Sequence, residues 1–233
     1  MAQAPHVQPV PSDPDARWAQ VDSYFGGLVR EDPDGTATRE RAAEAGLPDI
    51  AVAPNQGKLL QLLASLVGAR RVLEIGTLGG YSTLWLARAL PSDGSLVSLE
   101  LDPKHAEVAR ASLTQAGVGD LVEVVVGPAV DSLGALVAAA TEPFDFIFID
   151  ADKQQLARYV ELSLALSRPG TAIVVDNVVR DGAVIDPEHP DDRVQGVRRM
   201  VELLTDHPRV EATVLQTVGS KGYDGFALLR VLP

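Results

Sequence analysis

The chain has 233 residues, 46% of them hydrophobic, with no cysteine, four histidines and a formal net charge of −12. Disulfides, thiolate nucleophiles and Cys-bound zinc are thereby excluded, so any metal has to be held by oxygen or imidazole, and oxygen is the more abundant donor. The acidic balance argues against nucleic acid or an anionic membrane as partner, since those are held by Lys and Arg, and no run approaches the roughly 18 apolar residues of a membrane helix.

The opening stretch, MAQAPHVQPVPSDPDAR, carries neither a basic nor an apolar leader region, so a cytoplasmic protein is expected. Residues 1–16 are proline-rich and poor in apolar side chains and are expected to form a flexible arm, with residues 17–233 as a single domain. From Arg17 the spacing predicts a helix with Trp18, Val21, Tyr24, Phe25 and Leu28 on one face, read as core contacts. A second helix starts after Pro54 and runs through KLLQLLASLV to a stop at Gly68.

A regular alternation follows. Strands are expected at RVLEIG (71–76), LVSLEL (96–101), VEVVVG (122–127), FDFIFID (144–150) and TAIVVDN (171–177), separated by helices at 80–90, 103–116, 129–140 and 154–167. Near-continuous apolar strands spaced by helices specify a parallel sheet covered on both faces, a doubly wound α/β fold. After a helix near 192–206, VEATVLQT and GFALLRVL are joined by GSKGYDG, which predicts a C-terminal hairpin with one antiparallel strand.

In such sheets ligands lie beyond the carboxyl ends of the strands. The first strand ends in Glu74-Ile75-Gly76-Thr77-Leu78-Gly79-Gly80-Tyr81-Ser82, where Gly76 and Gly80 permit tight turning and close ligand approach. Packing alone is the competing explanation for these glycines. About twenty residues past Gly80, Glu100 ends the second strand, placed to accept ribose hydroxyls. The loop is not the G-x-G-x-x-G of a nicotinamide enzyme, and the Glu74 carboxylate would repel a pyrophosphate while suiting a positively charged sulfonium cofactor.

The fourth strand ends at Asp150 and the fifth at Asp176-Asn177. Capping of a following helix is one reading of each Asp. If the two strands are neighbours, two carboxylates and an amide oxygen meet at one point, a donor set for a hard divalent ion. Lys153 gains nothing from a helix N-terminus, so it is either solvated at the surface or a general base beside that ion.

These residues make the sequence resemble the cation-dependent class I O-methyltransferases, similar to catechol O-methyltransferase and the caffeoyl-CoA type with their bacterial relatives. The resemblance covers about residues 47–232 and rests on E-I-G-T-x-G-G-Y-S (74–82), S-L-E (98–100), F-I-D-A-D-K (148–153), V-V-D-N-V (174–178) and D-G-F-A-L (224–228). It implies a Rossmann-like methyltransferase fold: a mostly parallel seven-stranded sheet with an antiparallel C-terminal hairpin and extra N-terminal helices. It further implies that Asp150, Asp176 and Asn177 ligate Mg²⁺, with Lys153 and Asp150 catalytic. S-adenosylmethionine would be held by Glu74, Gly76, Thr77, Gly80, Ser82, Glu100 and Asp150, with Val52 over it and Ala129 near the adenine. The acceptor implied is a small vicinal dihydroxy aromatic, with no nucleic-acid or membrane partner and a homodimer as the candidate assembly. Two positions depart from catechol O-methyltransferase: Asp152 stands where that enzyme has a tryptophan, and Lys221 near its substrate-touching glutamate. The segment 181–192, DGAVIDPEHPDD, is expected to be a solvated surface connection. A dehydrogenase, a metal-independent methyltransferase and a non-catalytic binding protein are the competing readings.

Overall fold

In the computed structural model, which describes residues 11–233, the apolar runs expected to be strands are strands. Three helices come first, α1 (Pro14–Val29), α2 (Pro33–Glu44) and α3 (Pro54–Leu66). The alternating part is β1 (Arg71–Ile75), α4 (Tyr81–Ala87), β2 (Ser95–Glu100), α5 (Pro103–Gln115), β3 (Val122–Val126), α6 (Ala129–Ala138), β4 (Phe144–Ile149), α7 (Leu156–Ala165) and β5 (Ser167–Asp176). It closes with α8 (Asp192–Leu204), β6 (Val210–Gly219) and β7 (Gly222–Val231).

All seven strands join one sheet in the order β3-β2-β1-β4-β5-β7-β6. The first five are parallel, and β7 inserts antiparallel between β5 and β6. The order reverses between β1 and β4, and there the chain ends of both strands open the crevice that α/β sheets use for ligands.

Strand β4 is buried along its whole length because both faces of the sheet are covered. Leu73, Ile75, Ile147, Ile149, Ile173 and Val175 point to the layer of α6, α7 and α8, where Leu133, Leu156, Val160, Val197 and Met200 meet them. Val72, Phe146, Phe148 and Val174 face the other layer, against Leu60 and Ala64 of α3 and Trp85 and Leu86 of α4. Pro14, Pro33, Pro54 and Pro103 each stand in the first turn of a helix, where a missing N–H costs nothing.

Three features differ from the sequence expectation. The face of α1 carrying Val21, Tyr24, Phe25 and Leu28 is not core: Tyr24 and Leu28 are 81% and 76% exposed, and Val21 and Phe25 about half. Helical spacing marks an apolar stripe without saying what covers it, and the sheet is already sealed by α3 and α4 on that side. Helix α1 also begins at Pro14, inside the arm expected over 1–16; the first ten residues of that arm lie outside the described residues. Helix α2 has no apolar stripe to announce it. It is held by the Asp32 cap on the Gly35 N–H and by ion pairs from Arg39 to Glu31 and from Arg88 to Asp32 and Asp34. Among the described residues no helix is long and apolar enough to cross a membrane.

Candidate active site

The tips of β4 and β5 are level with one another. Ile149 pairs with Val175, so Asp150 and Asp176 leave the sheet side by side. Asp150 caps no helix; its Oδ1 accepts from Lys153 Nζ at 2.7 Å. Lys153 opens a short 3₁₀ turn and is only 6% exposed, which removes the surface-solvation reading. The turn is pressed from outside by α8 at Gly196, where an added Cβ would stand 2.8 Å from the Lys153 carbonyl carbon.

Asp176 is buried, with Oδ1 accepting the Asn177 N–H at 2.9 Å and Oδ2 accepting from Gln56 Nε2 at 2.6 Å. Burial first, and then the Asp150 charge, push its carboxyl up to about 7, against the pull of the Lys153 ammonium. Asn177 takes a left-handed φ of +56°, a strained setting for a residue at a strand end. Among the described residues no three His, Cys, Asp or Glu side chains converge; the set here is two carboxylates and one amide. A buried carboxyl group and a second, half-buried one on the neighbouring strand end, with an amide beside them, fit a hard divalent ion, and waters or ligand oxygens would complete its coordination.

The first loop forms a second group. Gly76, at φ +102°, lies against the backbone of Asp150: an added Cβ would be 2.9 Å from the Asp150 carbonyl carbon and closer still to its oxygen. Gly80, at φ +87°, lies against Ala109 of α5. Both glycines are therefore required by packing as well as by turning. Glu74 is fully buried, with Ser82 and Ser98 hydroxyls donating to it at 2.6 Å and Thr83 donating as well. Burial outweighs these donors and raises its carboxyl to about 7. Ser98 also meets Thr77 Oγ1 at 2.6 Å, while Glu100 Oε2 accepts the backbone N–H of Thr77 and Leu78 at 3.2 and 2.7 Å. Glu74, Ser82, Ser98, Thr77 and Glu100 thus form one continuous network beneath the loop. Val52 is buried just before α3, and Ala129 is the first residue of α6, half-buried, with Pro128 before it.

A cleft of about 300 Å³ opens over the β5 tip, with Asp176 and Asn177 in its wall. Its other walls come from Asn55, Gln56 and Leu59 of α3, from Asp22 of α1, from Asp181 and from the β6–β7 hairpin. Asp150, Lys153 and the glycine loop contribute no wall to it. Asp22 ties three segments together, accepting from Asn55 Nδ2 at 3.1 Å and from the Ser220 N–H at 2.8 Å.

Comparison with known proteins decides the family. The O-methyltransferase family model matches residues 35–231. The chain belongs to the O-methyltransferase family. A catechol O-methyltransferase of Niastella koreensis is 51% identical over 212 residues, covering 91% of this chain and 96% of that protein. One of Mycobacterium tuberculosis is 50% identical over 224 residues, covering 96% and 97%. Among solved structures, an O-methyltransferase of Streptomyces achromogenes involved in tomaymycin synthesis, in complex with SAM, matches with TM-score 0.92 and 53% identity over 95% of this chain and all of that one. The O-methyltransferase of Bacillus cereus in complex with SAH gives 0.91 and 54% over 93% and 99%.

In this O-methyltransferase, sequence reasoning brought Asp150, Lys153, Asp176 and Asn177 to one place and the loop residues with Glu100 to another. It missed Gln56, Asp22 and Asn55, which belong to no short motif, and it gave Ser98 of S-L-E (98–100) no role of its own; only their meeting in space gives them a part. Lys221 lines the cleft and donates to Asp49 Oδ1 at 3.1 Å. Asp152 faces away, accepting from the Tyr159 hydroxyl. The 181–192 segment opens in a 3₁₀ turn, Arg180–Ile185, and Asp181 at its start edges the cleft, so it is not solvated connection throughout.

Proposed function

We propose that this O-methyltransferase carries out Mg²⁺-dependent transfer of a methyl group from S-adenosylmethionine to one hydroxyl of a small vicinal dihydroxy aromatic. The observation that carries this reading is the convergence of Asp150, Asp176 and Asn177 on adjacent strand ends, with the Lys153 amine 2.7 Å from Asp150. Bound there, the divalent ion would supply Lewis-acid and template chemistry to two adjacent acceptor oxygens, and S-adenosylmethionine the sulfonium methyl.

The chain's own residues divide the remaining work. Lys153 Nζ, in its neutral amine form, receives the proton of the acceptor hydroxyl, and its burial keeps competing water away. Glu100, in the network under the loop, retains lone pairs for ribose hydroxyls, since each carboxylate oxygen accepts more than one bond. Glu74 fixes the loop through three hydroxyls, so the donor and acceptor sites keep a constant separation. A cleft of about 300 Å³ stands at the small end of ligand pockets and suits a single-ring acceptor. The names of the relatives, catechol O-methyltransferases at about half identity, support the same class. A cytoplasmic location, no nucleic-acid or membrane partner and a homodimer using the exposed α1 face complete the proposal.

The test is methyl transfer from labelled S-adenosylmethionine to catechol with Mg²⁺ present or removed by EDTA, alongside calorimetric cofactor binding. EDTA is expected to abolish transfer and leave cofactor binding intact. Full turnover in EDTA would remove the metal from the mechanism.

A further inference from the structure

We propose that Gln56 is a positioning residue that orients the Asp176 carboxylate and thereby sets the affinity of the site for a divalent ion. This rests on the cation reading above. Asp176 has two hydrogen-bond partners: its own neighbour's backbone N–H at 2.9 Å on Oδ1, and Gln56 Nε2 at 2.6 Å on Oδ2. The first is local and follows the carboxylate wherever the strand end goes. The second reaches across 120 residues of sequence from a different layer of the fold.

Gln56 suits this task chemically. It is neutral, so it fixes the direction of a carboxylate oxygen without cancelling the negative charge that attracts a cation. It uses one lone pair of Oδ2 and leaves the other free, as a carboxylate oxygen accepts more than one bond. A cationic side chain at the same place would compete with the metal.

Its anchorage is rigid. Gln56 stands in the first turn of α3, where its N–H donates to Asn55 Oδ1 at 2.9 Å and Asn55 is tied in turn to Asp22. The next residue, Gly57, is packed flush against the Trp85 indole, where an added Cβ would stand 2.9 Å from Cγ. Lys58 Nζ lies 4.7 Å over the same ring. The backbone carrying Gln56 is thus locked to α4, and the amide meets Asp176 from a fixed point. Partners of this kind behind a ligating carboxylate change metal affinity by roughly 10- to 100-fold when removed.

The experiment titrates the full chain with Mn²⁺, followed by calorimetry and by the loss of free-ion EPR signal. It compares wild type, Gln56→Met, Gln56→Ala and Asp176→Asn, with S-adenosylhomocysteine binding and thermal midpoint as fold controls. Met keeps nearly the volume of Gln without a donor, and Ala only removes atoms, so the pair separates lost orientation from misfit. Both Gln56 variants are expected to bind Mn²⁺ roughly 10- to 100-fold more weakly, with S-adenosylhomocysteine affinity within about twofold of wild type, and added Mg²⁺ to restore their turnover but not that of Asp176→Asn. A loss of fold alone would not give this rescue. Wild-type Mn²⁺ affinity in both Gln56 variants, with binding lost in Asp176→Asn, would overturn this inference and leave the cation site standing. No Mn²⁺ binding by the wild type would overturn both.

Discussion

Gly76 joins the two halves of the site, and its replacement by alanine isolates what that junction contributes. Two penalties add. The left-handed backbone, φ +102°, costs an L side chain about 1–3 kcal/mol. The new methyl also drives into the Asp150 carbonyl, and overpacking of this sort costs a further 1–3 kcal/mol or so. Gly170 provides the internal control: its φ is +93° and an added Cβ there meets nothing within 4 Å, so Gly170→Ala carries the backbone penalty alone. In a chain of this size about 1 kcal/mol moves the thermal midpoint by roughly 2–4 °C. Calorimetric melting of both variants is therefore expected to place Gly76→Ala below Gly170→Ala by at least about 2 °C. Gly76→Ala is also expected to weaken S-adenosylhomocysteine and Mn²⁺ binding together, because Asp150 has to retreat, whereas Gly170→Ala leaves both unchanged. Equal melting losses, with ligand binding intact in both, would refute the assignment of Gly76 to the contact between β1 and β4.

Lys153→Ala is expected to lower kcat by about 10² to 10⁴, the range for a lost general base, with cofactor affinity unchanged. Lys153→Arg should do the same because guanidinium cannot give up its proton, and near wild-type turnover in that variant would reduce Lys153 to a fixed charge. Glu100→Ala is expected to weaken S-adenosylmethionine by about 1.5–3 kcal/mol in calorimetry; an unchanged Kd would put the ribose elsewhere. Glu74, raised from 4.5 to about 7 in the folded chain, holds its proton in the native state through a window where the unfolded chain has lost it. Its contribution to stability is therefore full below about 4.5 and declines as pH rises to about 7, by up to about 1.4 kcal/mol per pH unit. Denaturant titrations across that window should show a flatter slope for Glu74→Gln, and parallel slopes would assign the ionisation to another group.

What the sequence made legible was whatever is written in runs. Strands β1, β2, β3 and β4 are near-continuous apolar stretches ending in or followed by a glycine or a charged residue, and Glu74, Glu100 and Asp150, at or beside the ends of β1, β2 and β4, could be placed by counting. Strand β5 begins at Ser167, four residues earlier than its apolar run, because the exposed segment Ser167–Gly170 pairs irregularly with β4 at Phe144. The stripe on α1 was legible as a stripe and misassigned to the core, since periodicity carries no information about the covering partner. Helix α2 was not legible, being held by a cap and ion pairs rather than by apolar spacing. The parts played by Gln56 and Ser98 were hidden for a related reason. A glutamine in a helix and a serine in a strand become parts of a site only through atoms that the fold brings from far along the chain.

The link from Asp22 to the Ser220 amide spans 198 positions, and it has a bearing on how this protein would come apart and how it could change. The cleft wall is assembled from segments near opposite ends of the described chain, while the network under the first loop is built from residues 74 to 100 within the central sheet. Contacts that close such long loops at the periphery belong to the low end of local stability, and those of a buried parallel sheet to the high end. Gentle denaturation should therefore blur discrimination among acceptors while the donor is still held, and hydrogen exchange should reach the hairpin amides well before those of β1. The same separation lets mutations drift through α1 and the hairpin, exploring new acceptors, without disturbing the machinery that handles the methyl donor.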